Sequence, residues 1–324
     1  MATLSGEYTL LDLKQGHDPN GNVAKIIDIL SELNSVYDDA IWMEANDLTS
    51  HVVTQAFSEG NGSSGIINKS VAFEEDRTKQ IREGMEMFES YSRIDERLIR
   101  RARNPEQFRA QRNAMRIRGM GKSWHTRFFY GSPTEDGPEN VKGIAPRLNN
   151  LSSEYVYDNG DDTANEVTSI YVVQWGEEGC HLIYPRGERT VIEERDLGTQ
   201  LLTDSDGAYT ALVSHYMINW GLVIADDRAV QRIANVATSG SSNTFDDDLL
   251  IQAINELPDP GNLGRVRIYV NRNVKTQMDI ALKDKNNVNY GITDAFGGPG
   301  GMLTFKGIPV RMVDRIVNTE AVVS

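Results

Sequence analysis

Cysteine is nearly missing from this chain of 324 residues, where Cys180 stands alone. One thiol can close no intrachain disulfide and build no thiolate metal cage, so its expected role is that of a small buried apolar side chain. Long apolar runs are missing too. None approaches the roughly 18 residues needed to span a bilayer, and the N-terminus lacks the basic start and apolar core of a signal peptide. Folding in a cytoplasm, with no membrane partner, is therefore expected. Positive charge is short: 33 Lys and Arg against 47 Asp and Glu leave a formal charge of -14, which argues against nucleic-acid binding as the main activity. Internal repeats, low-complexity tracts and obvious linkers are absent. What remains, 39% hydrophobic and 25% charged, suffices for a sizeable core in one large or two ordinary domains.

Reactive constellations are equally scarce. GMGKSW at 119–124 ends like a phosphate-binding loop, but the upstream glycine that loop requires would fall at Arg116, inside a helical pattern. Asp204-Ser-Asp206-Gly207 echoes part of a calcium loop. Its first ligand position would be Leu202 and its twelfth Val213, so the oxygen cage cannot close. His17, His51, His125, His181 and His215 are scattered without metal-ligand spacing and read as packing or surface residues. No nucleophile-elbow serine occurs, Gly62-Ser-Ser-Gly65 lies in a flexible tip, and the Gly297-Gly-Pro-Gly-Gly301 loop lacks the following helix that would bind phosphate. Acidic clusters at Asp161-Asp162, Asp226-Asp227 and Asp246 to Asp248 read as solvated turns and caps. No catalytic, cofactor-binding or metal residue is assigned, and no enzyme activity is expected.

What the sequence does have is organised around Ser92 to Gly131, which reads as a long helix. Ser92 with Asp95 and Glu96 forms a cap and acidic first turn. Ile94, Leu98, Ile99 and Ala102 fall on one side, Arg97, Arg100, Arg101 and Arg103 on the other. Asn104-Pro105 predicts a kink or restart, with Gln107 at the capping-box position. Beyond it Phe108 and Met115 lie on one arc, Ala110, Ala114 and Ile117 on another, and Arg109, Arg112 and Arg116 form a stripe between them. Gly119 and Gly121 are stop signals, followed by the aromatic end Trp124, Phe128, Phe129 and Tyr130, which must be buried. Between Arg93 and Arg118 nine arginines face three acids. That excess reads either as a solvated, salt-bridged face or as a surface for a polyanion.

Elsewhere the chain opens with an arm containing the Asp18-Pro19-Asn20-Gly21 turn, then a helix on Val23, Ile26, Ile27 and Leu30 ending near Asn34. Residues 51–91 read as a projecting hairpin, with His51-Val-Val-Thr-Gln and Val71-Ala-Phe flanking the tip Gly60-Asn-Gly-Ser-Ser-Gly65 and a charged loop at 74–83. Period two takes over later. Strands 169–175 and 181–184 read as a hairpin around Gly176-Glu-Glu-Gly179, and Tyr209 to Ala225 as another strand. Asp246 caps a helix that stops at Pro258, Val266, Ile268 and Val270 alternate, and Asn273 caps a helix carrying Val274, Met278, Ala281 and Leu282. A second hairpin turns at Lys306-Gly307, with Pro309 expected at an edge or irregular position. The class is α+β.

Eight blocks together resemble the major capsid proteins of tailed phages with the HK-ninety-seven fold, especially those of short-tailed phages. They are NPEQFRAQRNAMRIRGM (104–120), FFYG (128–131), GIAPRLN (143–149), TSIYVVQWG (168–176), IYPRG (183–187), NWGLVIADDRAVQRIANV (219–236), IYVNRNVKTQMD (268–279) and FKGIPVRMVDRIVNTEA (305–321). Their order and spacing cover nearly everything after residue 90. The resemblance implies an N-terminal arm at 1–40, an extended loop (E-loop) at 41–87, a peripheral (P) domain with the spine helix at 88–145 and 256–324, and an axial (A) domain at 146–255. It further implies a structural protein that self-assembles, as pentamers and hexamers, into an icosahedral shell around double-stranded DNA. A separate scaffolding protein, a portal and a possible decoration protein would be its partners, in a virion capsid assembled in the host cytoplasm. Crosslinking between loop lysines such as Lys69 or Lys79 and a neighbour is left unassigned. The arginine stripe is expected to meet the shell interior or, preferentially, a neighbour's acidic loop around Glu74, Glu75 and Asp76. Two alternatives are the shell of a cellular nanocompartment of the same fold and, from another class, a hydrolase with an unusual site.

Overall fold

The structure, a computed structural model, describes residues 35–58, 60, 62–71, 73, 75–187, 193–205, 207–240, 242–282, 290–293 and 302–324. Helix α1 (Ser35–Asp39) leads into β1 (Trp42–Glu44), then β2 (Ser50–Ser58) and β3 (Arg77–Gly84). After β4 (Glu86–Asp95) come α2 (Glu96–Arg101), α3 (Pro105–Tyr130) and α4 (Ile144–Arg147). Strands β5 (Val156–Asp158), β6 (Val167–Gln174), β7 (Cys180–Tyr184), β8 (Glu193–Asp204), β9 (Gly207–Ile224) and β10 (Val230–Ala237) precede α5 (Asp247–Asn255). The chain continues with β11 (Val266–Val270), α6 (Arg272–Leu282), β12 (Tyr290–Thr293), β13 (Met302–Phe305) and β14 (Ile308–Met312). The expected arm up to residue 34 and the Gly297–Gly301 loop lie outside the described residues.

The chain divides into two units. One takes Met87–His125 and the described part of Thr190–Asn219; the other takes the described residues of Asn34–Glu86, Thr126–Arg189 and Trp220–Ser324. In the larger unit a seven-stranded sheet runs in the order β12-β13-β14-β11-β6-β10-β5. Strands β6 and β10 are buried at every position, as both faces of an inner strand must be when layers cover them. On one face Leu250, Ala253 and Ile254 of α5 and Val274 and Met278 of α6 pack on Ile170, Val172, Ile233 and Ile268. On the other, the aromatic end of α3 is buried as expected: Phe129 lies 5.1 Å from Tyr171 and 6.1 Å from Tyr269, and Phe128 stacks on Trp175 at 6.0 Å. The split expected between residues 255 and 256 falls inside this sheet, because β6 and β10 share it with β11 and β14.

In the smaller unit β9 runs between β4 and β8. Ile94, Leu98, Ile99, Ala102 and Phe108 close a small core against Leu212. Asp95, not Ser92, caps α2: its carboxylate accepts from Arg97 N at 2.7 Å, while Ser92 is buried in β4. The restart at Asn104-Pro105 is real, with Asn104 Oδ1 accepting from Gln107 N at 3.2 Å.

Other local expectations need correction. Helix α3 continues through Gly119 and Gly121 to Tyr130, because its buried row Phe108, Met120, Trp124 and Phe128 recurs at multiples of four and outweighs two glycines. The second apolar arc is not buried: Ala110 and Ala114 are exposed. β3 is the charged 77–84 stretch rather than Val71-Ala-Phe, since a strand that is mostly exposed, with only Ile81 and Glu83 half-buried, selects few apolar side chains. Gly176-Glu-Glu-Gly179 does not turn a hairpin: β6 belongs to the seven-stranded sheet and β7 pairs with β1 and β9, so this turn passes the chain from one sheet to another. Asn271, not Asn273, caps α6, accepting from Val274 N at 2.8 Å. Pro309 sits inside the sheet, opposite Thr304 and one residue before the ladder with β11 begins at Val310, where its missing N–H is not needed. The turn at Lys306 (φ 49°) and Gly307 (φ 81°) is the expected two-residue hairpin.

Candidate assembly site

The β2–β3 ribbon runs from Ser50↔Gly84 to Ser58↔Arg77. Beyond it the tip carries Ile66, Ile67, Val71 and Phe73, all exposed, Phe73 completely. Single exposed apolar residues need no explanation, but four within eight positions make this the most apolar part of the exposed ribbon tip. The ribbon's base is tied down. Arg147 grips Glu83 with two bonds, at 2.5 and 2.8 Å, and the Asn46 side chain bonds both backbone groups of Val52, at 2.8 and 2.9 Å. Gln55 Nε2 donates to Ala225 O at 2.6 Å.

The arginine stripe meets partners within its own chain. Arg109 donates to Asp196 at 2.6 Å and to Ser214 at 3.1 Å; the hydrogen bond from Arg109 holds the Asp196 carboxyl below its usual range. Arg112 lies over the Phe108 ring, its guanidinium carbon 5.1 Å from the centroid. Arg116 lines a groove of about 510 Å³ with Phe88, Glu89, Met115 and Gly119. At the other end of the expected contact, Asp76 accepts from Gly60 N and Glu75 pairs with Arg77, while Glu74 lies outside the described residues. Both sides of that contact are thus partly satisfied inside one subunit.

Sequence reasoning missed the buried charges. Glu320 and Arg232, side chains 4% and 3% exposed, meet at 2.8 Å. Arg232 also donates to Ser169 Oγ, Leu148 O and Ala145 O, and Glu320 accepts from the hydroxyls of Tyr130, Ser169 and Tyr171. Burial works against the Arg232 charge, but Tyr171 and Glu320 hold its pKa above the ordinary value. A second cluster centres on Asp39, which accepts from Arg267 at 3.1 Å and from Arg311 at 2.8 and 2.9 Å. A third joins Arg127 to Glu86 and Asn140. The only sequence signal was a charged residue inside an otherwise apolar strand pattern, as at Arg232.

The weak chemical motifs resolve into structure. GMGKSW lies within α3, and Asp204-Ser-Asp206 falls at the β8–β9 turn, with Asp206 outside the described residues. Asp246 to Asp248 place one ligand atom each within 4.8 Å, an arrangement its cap bond explains, Asp246 accepting from Asp248 N at 3.0 Å. His125 and His181 are buried, His51 and His215 partly so, and His17 lies outside the described residues. Cys180 is fully buried and free, its thiol pushed up to about 12 by burial.

Fold and surfaces together define a subunit of the HK-ninety-seven capsid class. The family model described as Major capsid protein GP7 matches residues 18–324, and the chain belongs to that family. Among solved structures, that of bacteriophage Epsilon15 is similar at 23% identity and a TM-score of 0.73, over 100% of this chain and 99% of that one. The bacteriophage JBD30 capsid is similar at 10% identity and a TM-score of 0.51, over 90% and 94%. At such identities these likenesses speak for the fold. A search of curated proteins finds no match. The family match makes the chain the major capsid protein of a phage, a structural protein many copies of which build the shell, and supports that reading over the nanocompartment one.

Proposed function

We propose that this subunit forms pentamers and hexamers of an icosahedral shell around a double-stranded DNA genome, and that residues 41–87 act as the extended loop laid over a neighbouring copy. The observation that carries this reading is the ribbon's asymmetry, a base fixed by Glu83–Arg147 and an apolar tip at Ile66, Ile67 and Phe73 left exposed among the described residues. Residues 1–40 serve as the arm. The axial and peripheral names attach to sheets more naturally than to the 146 and 256 boundaries: the seven-stranded sheet with α5 and α6 takes one, the unit around α2, β4, β8 and most of α3 the other. A separate scaffolding protein, a portal and a decoration protein complete assembly, in the host cytoplasm. Arg112 and Arg116 then face a neighbour's loop or packaged DNA. Expression of the chain with its scaffolding partner, followed by electron microscopy, tests the reading. The wild type should yield closed shells and an Ile67→Asp, Phe73→Asp variant only soluble subunits; shells of normal yield from that variant would overturn the role given to the tip.

A further inference from the structure

Two imidazoles meet where the base of the β2–β3 ribbon lies against β7. His51 on β2 and His181 on β7 meet edge to face, ring centroids 5.7 Å apart and planes at 82°. Their partners fix where each proton sits. The Asn46 backbone N–H donates to His51 Nδ1 at 3.3 Å, so that nitrogen holds a lone pair and the proton is on Nε2. The Gly176 carbonyl, 3.3 Å from His181 Nδ1, can only accept, so here Nδ1 carries the proton. His181 Nε2 is buried with no hydrogen-bond partner among the described residues. Both rings are therefore neutral in the closed arrangement, and burial holds both pKa values below the ordinary histidine range.

Protonation has only damaging routes. A second proton on His51 must go to Nδ1 and break the Asn46 bond at the point where Asn46 also clamps Val52. One on His181 must go to the buried Nε2, next to a ring that is gaining charge as well. Nearby acids are already engaged. Glu83, directly opposite His51 in the ladder, is gripped by Arg147, and Asp47 accepts from Leu48 N and Ser50 Oγ, bonds that hold its carboxyl low. Glu177, on the turn that passes the chain between sheets, favours a charged His181 but does not outweigh burial. Glu86 follows the ribbon's exit, its carboxyl raised by burial against the pull of Arg127, so it titrates in the opposite sense and is separated by the variants below.

We propose that His51 and His181 form an acid-release latch, which as neutral rings holds the ribbon base against β7 and on protonation lets it part. The sign follows from linkage. A histidine whose folded pKa is depressed stabilises the closed state above its unfolded value of about 6.5, and that contribution is lost as the pH falls through the folded pKa. The full-length unassembled protein tests this by two measurements, the titration of its histidine Cε1–H resonances and amide hydrogen exchange, corrected for intrinsic rates, between about pH 7.5 and about pH 5. The pair should titrate below about 6.5, and ribbon-base amides at 51–53 and 81–83 should lose about tenfold protection per pH unit through that range while β6 does not change. His51→Phe, which keeps a ring without a proton, should stay protected in acid. Histidines titrating at or above the ordinary value, or equal acid loss in both proteins, would overturn the latch. If His51→Phe does not fold, the wild-type titration and exchange decide alone, and unchanged ribbon protection would reject it.

Discussion

Strands β10 and β2 have similar lengths and both join antiparallel ladders, yet they live in opposite surroundings. Every residue of β10 is buried between layers of the same subunit, while in β2 no described position after Ser50 is. A strand like β10 completes its interactions inside its own chain. The β2–β3 ribbon is held at one end by specific polar bonds and leaves the apolar residues of its tip for something else to cover. If the ribbon serves assembly as proposed, stability and assembly are carried by different parts of one molecule, and substitutions should separate them.

The largest effect is expected in the closed region. Arg232→Ala strands the buried Glu320 carboxylate and should destabilise the subunit by about 3 to 5 kcal/mol in denaturant unfolding, and pairing it with Glu320→Leu should recover much of the loss. If the single and double variants are equally unstable, the pair is not acting as a coupled ion pair. Gly143→Ala comes next. Its Cβ would lie 2.8 Å from the backbone of Phe129 and Gly131, where the chain leaving α3 is crossed, and overpacking of this kind costs about 1 to 3 kcal/mol. Arg109→Gln removes a partly exposed pair with Asp196, so thermal unfolding should register only about 0 to 1 kcal/mol. Smallest of all, Ile67→Asp at a position 90% exposed should leave subunit unfolding within about 0.5 kcal/mol of wild type. A large loss there would mean that the tip packs within its own subunit, and the contrast with β10 would dissolve.

The legible parts of the chain were those whose signal is local. The Asp246 cap, the alternation in β11, the restart at Asn104-Pro105 and the Lys306-Gly307 turn each depend on a few neighbouring residues, and each stands where expected. The 176–179 turn shows the limit: two glycines announce a reversal of the chain but not which strand will lie alongside, and here the partners of β6 and β7 arrive from distant sequence. β3 was hidden because charged residues on a mostly exposed strand carry little period-two contrast. The expectation of a projecting tip rested on scarce core-forming residues, whereas the partners in the Arg232–Glu320 and Asp39 clusters could not be read, since a charge in sequence reads as surface until its partner is located.

Asp39 has a mechanical side. Its carboxylate is caught by guanidiniums rising from β11 and β14, two parallel strands in the middle of the seven-stranded sheet. Whatever draws on the chain upstream of Ser35 pulls against that cleat before it reaches the rest of the fold. A pull on Asp39 is met by both strands at once, since Arg267 and Arg311 hold the same carboxylate.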